Sequence, residues 1–108
     1  MVGKTKAPTK ADKRRFLALQ DYGCVCCRIE GDGHRDPDIH HIVEGGRRLG
    51  HQYTLGLCPY HHRGIQPDSF IYHGPSLADG KRPFIKRYGT ERFLLEYVNG
   101  QLELEGLI

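Results

Sequence analysis

Apolar positions along the chain follow more than one rhythm, and each predicts a different element. Phe16, Leu17 and Leu19 lie in an otherwise polar run behind Thr9, with Asp12 three residues after that threonine. A hydroxyl residue followed at that distance by an acidic one opens a capped helix, so a helix is predicted from about Lys10 to Asp21, stopped by Gly23. Its three large apolar residues are expected to face the core. Residues 30–37, rich in glycine, aspartate and proline, read as a loop. Asp38-Ile39-His40-His41-Ile42-Val43 predicts a strand, residues 44–53 a loop around Gly45-Gly46, and residues 54–58 a second strand. Pro59 suits the first turn of a short helix. Residues 64–80 are irregular and are expected to wrap back over that unit. Two further helices are predicted around Pro83–Tyr88 and Glu91–Val98, the second capped by Thr90 and presenting Phe93, Leu94 and Tyr97. Gln101-Leu102-Glu103-Leu104-Glu105 alternates polar and apolar, which predicts a terminal strand.

The order helix, strand, strand, helix, helices within 108 residues gives one α+β domain over residues 9–108. No apolar run is long enough to cross a membrane, and the N-terminus lacks the apolar segment of a secretion signal, so the expected compartment is the cytoplasm. Net charge is only +3, but residues 1–15 carry Lys4, Lys6, Lys10, Lys13, Arg14 and Arg15 against Asp12 alone. Residues 1–8 are therefore expected to be a mobile basic arm on a nearly neutral body. Such an arm suits a polyanion, nucleic acid above all. A plain solubility tail is the competing reading.

The cysteines sharpen the picture. Cys24-x-x-Cys27 and Cys58-x-x-His61 have the same gap, the pattern of a structural zinc site with four protein ligands and no open position. Disulfides fit poorly, because Cys26 and Cys27 are adjacent and a reducing compartment disfavours them. Cys26 is read as buried filler.

The remaining histidines suggest a second site. In a strand, neighbouring side chains point to opposite faces, so His40 and His41 suit different roles. His40, His62 and His73 could hold one divalent ion with positions left open for substrate. His41, facing away from His40, would be free to act as a general base on water. Arg47, Arg48 and Arg63, with Lys4 and Lys6 of the arm, are candidate phosphate contacts. His34 and His51 read as polar surface residues, and His73 could equally be an ordinary loop histidine.

Together, C-x-x-C, D-I-H-H-I, G-G-R-R, T-L-G-L-C-P-Y-H-H-R-G and Y-H-G resemble an HNH (His-Me finger) nuclease over roughly residues 20–98. More narrowly they resemble the phage recombination-enhancement nucleases of the Ref type, which cut DNA with help from RecA filaments. The resemblance implies a zinc-stapled ββα-metal core flanked by an N-terminal helix and C-terminal helices. It implies His40 as metal ligand and His41 as general base, with His62 on a catalytic Mg2+ or other divalent ion and His73 completing the shell. An asparagine usually orients the base in HNH proteins, and Thr54 stands near that place, a departure from the usual pattern. The expected function is metal-dependent endonucleolytic cleavage of DNA by a monomer, in phage recombination, with a RecA–DNA filament as the implied partner. A zinc-stabilised binding module without catalysis and a restriction- or toxin-type HNH enzyme are the alternatives.

Overall fold

The computed structural model describes residues 6–108; Lys4 lies outside them. Helix α1 (Lys10–Tyr22) starts with the expected capping box, Thr9 Oγ1 accepting from the Asp12 amide and Asp12 Oδ2 from the Thr9 amide at 3.2 and 2.9 Å. Its buried stripe is Arg15, Ala18, Leu19 and Tyr22, whereas Leu17 is 61 % exposed. The spacing 15-18-19-22 is helical, but a buried arginine hides it from a reading that follows large apolar residues only. Arg15 can be buried because its guanidinium is satisfied: Nε and Nη2 donate to Thr54 Oγ1 and O (2.9 and 2.7 Å), and Nη1 to Asn99 Oδ1 (2.8 Å).

At Gly23 the chain turns with φ 90°, and a Cβ there would sit 2.8 Å from the His34 ring. The C-x-x-C segment that follows is a helical turn, α2 (Val25–Ile29), capped by Cys24.

Strand β1 (Asp38–His41) pairs antiparallel with β4 (Thr54–Leu57), bringing His40 opposite Leu55 and His41 opposite Thr54. The expected strand 38–43 is thus broken. Ile42 turns fully into the core, and Val43–Glu44 (β2) pairs with Arg47–Arg48 (β3) in a separate small hairpin. Positive φ at both Gly45 and Gly46 is what a two-residue hairpin turn requires. All four residues of β4 are buried. Cys58 caps α3 (Pro59–Arg63), with Pro59 in its first turn and Gly64 closing it in the left-handed conformation.

A short 3-10 helix (Leu77–Asp79) leads into α4 (Lys81–Tyr88) and α5 (Glu91–Leu104). The predicted terminal strand is instead the end of α5. Leu94, Leu95, Val98 and Leu102 make a helical stripe into the core, while Leu104 is 80 % exposed. The polar–apolar alternation of 101–105 finds no strand partner among the described residues, and the helical stripe prevails. Leu19, Tyr22, Val25, Ile42, Leu55, Phe84, Leu94 and Leu102 belong to one continuous core. The fold is a small α+β arrangement of helices around two short antiparallel sheets. No described helix is long and apolar enough to cross a membrane.

Candidate metal centre and histidine groove

Helices α2 and α3 each begin at a cysteine and together present Cys24, Cys27, Cys58 and His61, all buried, with ligand atoms within 4.8 Å of one another. His61 Nδ1 lies 3.6, 3.5 and 3.3 Å from the sulfurs of Cys24, Cys27 and Cys58, and the Cys27 and Cys58 sulfurs are 3.8 Å apart. A tetrahedron built on metal–sulfur bonds of about 2.3 Å has edges of about 3.8 Å, slightly shorter towards nitrogen. The donors are spaced for one such ion, and three soft thiolates with one imidazole are consistent with structural zinc.

Burial works against a charged imidazole, but hydrogen bonds to Cys24 and Cys58 lift the His61 pKa to about 10. Burial likewise opposes the Cys24 thiolate, yet contacts with the neighbouring thiols and His61 hold that thiol well below its ordinary value. Burial pushes the Cys26 thiol up, so it stays neutral as core filler.

The far side of His61 is equally specified. Its Nε2–H donates to the His73 carbonyl at 2.7 Å, and the Tyr88 hydroxyl, which donates to Glu30, lies 3.2 Å from the same nitrogen. That partner leaves Nδ1 as the ligand atom. Gly74 makes the approach possible: a Cβ there would fall 2.0 Å from the Tyr88 oxygen. Tyr72-His73-Gly74 therefore serves the cysteine cluster through its backbone. The His73 imidazole pairs with Asp32 (3.0 Å) and joins no ligand group with His40 and His62, contrary to the expected three-histidine shell.

His40 and His62 meet across β1 and α3, His40 Nδ1 lying 3.3 Å from His62 Nε2. The outer nitrogen of each ring faces a carboxylate. His40 Nε2 is bonded to Glu91, and His62 Nδ1 to Asp38 Oδ2 at 3.0 Å. Carboxylates of this kind only accept, so both outer nitrogens carry the hydrogen, and in neutral rings both inner nitrogens present lone pairs to the same point. Two facing lone pairs repel unless a cation lies between them. Their separation matches two nitrogens of a tetrahedral shell, about 3.3 Å for metal–nitrogen bonds of about 2.0–2.1 Å.

Glu91 also pairs with Lys81 (3.4 Å), and Asp38 with Arg63 Nε (3.1 Å). The His40 hydrogen bond, outweighing burial, holds the Glu91 carboxyl below its usual range. These rings open onto a groove of about 290 Å³ lined by His40, Val43, His62, Leu77, Ala78, Lys81 and Glu91.

His41, at the end of β1, turns to the other face. Its Nε2 lies 2.9 Å from His51 Nδ1. Burial lowers its pKa, helped by the charge of Arg48. Thr54 is fully buried and bonded to the His51 carbonyl (2.8 Å) and to Arg15 rather than to the His41 ring.

The matching family model decides the relationship: described as "Recombination enhancement, RecA-dependent nuclease", it covers residues 8–103. The chain belongs to this family. No curated protein and no solved structure gives a significant match. In this RecA-dependent nuclease family member, Arg47 and Arg48 project from the exposed hairpin β2–β3, and Arg63, half exposed, shares Asp38 with His62. Lys6 contributes its backbone, its carbonyl accepting from His51 Nε2 at 2.5 Å.

Sequence reasoning passed over Asp38, Glu91 and His51. Asp38 read only as a strand start and Glu91 only as a helix start. For Asp38 a usable signal existed: two residues before His40, it shares His40's face of the strand. Nothing local pointed to Glu91, which lies 51 positions from His40.

Proposed function

We propose that the protein is a metal-dependent DNA endonuclease of the HNH type, acting in phage recombination on DNA presented with a RecA filament. The observation that carries this is the pair of facing imidazole nitrogens of His40 and His62, each with a carboxylate on its outer nitrogen. A structural role would be served by one hydrogen bond between the rings. Two carboxylates that hold the outer N–H of each neutral ring leave both inner nitrogens as acceptors, a cation half-site with room beside it for a phosphate. A magnesium or other divalent ion held there supplies positive charge next to the phosphodiester and its leaving oxygen.

His41, on the opposite face of the same strand end, takes the proton from the attacking water. Its depressed pKa keeps the ring neutral, as a general base must be. Lys81 and Arg63, at the rim of the groove, bind flanking phosphates. Arg47 and Arg48 extend the basic surface from the hairpin. The Cys3His centre, holding zinc, locks α3 to α2 and so fixes the helix that carries His62. DNA as substrate and RecA as partner are supported by the family to which the chain belongs.

Purified protein mixed with supercoiled and single-stranded DNA, with magnesium or manganese, tests the proposal. RecA and ATP are added or withheld, and His41→Ala serves as control. Cleavage that needs the divalent ion and His41, and rises with the filament, is expected. DNA binding without cleavage under every condition would return the protein to the class of zinc-stabilised binding modules.

A further inference from the structure

We infer that His51 is a positioning residue for the base: it fixes the His41 tautomer so that the Nδ1 lone pair of His41 faces the attacking water. This rests on His41 being the base, as proposed above. The hydrogen positions follow from the partners. The Lys6 carbonyl can only accept, so His51 Nε2, 2.5 Å away, carries a hydrogen. A neutral imidazole has one N–H, which leaves His51 Nδ1 as an acceptor. His41 Nε2, 2.9 Å from it, must then donate. The remaining nitrogen of His41, Nδ1, holds the free lone pair.

The surroundings are built to keep this arrangement. Phe16 packs edge-on against both rings, with centroids 6.1 Å from His41 and 5.6 Å from His51. Thr54 Oγ1 donates to the His51 carbonyl (2.8 Å) and accepts from buried Arg15 (2.9 Å). Helix α1 and strand β4 thus hold the loop that carries His51, and Thr54 acts on the base only at second hand. The last link ends on the backbone of residue 6, so the N-terminal segment supports the base as well as contributing charge.

Two substitutions separate positioning from packing. His51→Asn keeps an acceptor near the Nδ1 position and loses the ring. His51→Phe keeps a ring against Phe16 and loses the acceptor. In single-turnover cleavage at saturating DNA and divalent ion, His51→Phe should slow the reaction by about 10–100-fold, taking the range known for partners that fix the tautomer of metal-binding histidines as a guide. His51→Asn should stay within a few-fold of the unaltered protein. In a His41→Ala background, His51→Phe should cost nothing further.

A readout independent of cleavage is the histidine tautomer. Long-range 15N–1H spectra of the unaltered protein at mildly alkaline pH should show His41 and His51 both protonated at Nε2. An Nδ1–H tautomer of His41 overturns the inference, as does His51→Asn failing as deeply as His51→Phe, or His51→Phe remaining fully active. If His41→Ala itself retains activity, the base assignment fails. The tautomer spectra would still report on the pairing alone.

Discussion

Replacing Glu91 separates a ligand-supporting carboxylate from an ordinary helix-start residue. Glu91 lies in the first turn of α5, where a negative charge stabilises a helix by about 0.3–1 kcal/mol. Glu91→Gln removes that charge, so a loss of about 1 kcal/mol or less is expected, a shift of a few degrees in a domain of this size. The effect on the groove should be larger. The side chain of Glu91 is 12 % exposed, holds His40 Nε2–H and pairs with Lys81. Outer partners of metal-binding histidines typically change ion affinity by about 10–100-fold, equivalent to about 1.4–2.7 kcal/mol.

The glutamine oxygen can still accept from His40, which places Glu91→Gln near the lower end, about tenfold. Glu91→Ala, which leaves the nitrogen unpartnered and the tautomer free, should approach a hundredfold. The assay is cleavage of supercoiled DNA as a function of magnesium or manganese concentration, with melting curves alongside. The half-saturating ion concentration should rise in the order unaltered, Gln, Ala, and the rate at saturating ion should largely recover. An unchanged half-saturation in Glu91→Ala, with only the small loss of melting temperature, would refute the role given to this carboxylate.

Other perturbations address other parts of the molecule. Metal analysis should find one tightly held zinc per chain. Cys24→Ser or Cys58→Ser should remove much of the stability, because structural zinc binding is worth on the order of 10 kcal/mol; a metal-free protein whose melting ignores a strong chelator would contradict this. Gly74→Ala should destabilise the same centre, its Cβ falling 2.0 Å from the Tyr88 oxygen at φ 84°, and zinc retention after dialysis measures the effect. His41 must be neutral to accept a proton, and burial and neighbouring positive charge lower its pKa. The acid limb of the cleavage rate should therefore lie below the ordinary imidazole value of about 6.5, and Arg48→Ala should move it to higher pH. Deleting residues 1–8 should weaken DNA binding and flatten its salt dependence. It should also slow cleavage at saturating DNA, because the Lys6 carbonyl that holds His51 is lost; a purely electrostatic arm would change binding alone.

What could be read from the sequence was what local spacing encodes. The Thr9–Asp12 cap, the helix starts at Pro59 and Thr90, and the four members of the cysteine cluster each rest on residues a fixed few positions apart. The opposed directions of His40 and His41 follow from strand geometry alone. Errors arose where a local pattern competed with a distant partner. Leu17 is apolar but exposed, because Arg15 takes the buried stripe once Thr54 and Asn99 satisfy its guanidinium. The 101–105 alternation lost to the helical stripe ending in Leu102. His73 reaches Asp32 with its ring and His61 with its carbonyl, and a backbone contact leaves no trace in residue type. Glu91 and His51 reach their histidines only through folding of the chain, and neither stands in any motif that spacing can reveal.

The most direct test of the central claim is a divalent-ion titration of DNA cleavage by three single variants, His40→Ala, His62→Ala and His41→Ala. If His40 and His62 hold the ion and His41 is the base, the first two should need much more ion and regain activity when it is in excess. His41→Ala should lose about 10²–10⁴-fold in rate, keep the ion dependence of the unaltered protein and recover only as pH rises. Rescue of His41→Ala by excess ion, or full activity in His40→Ala and His62→Ala at the ordinary ion concentration, would contradict the account.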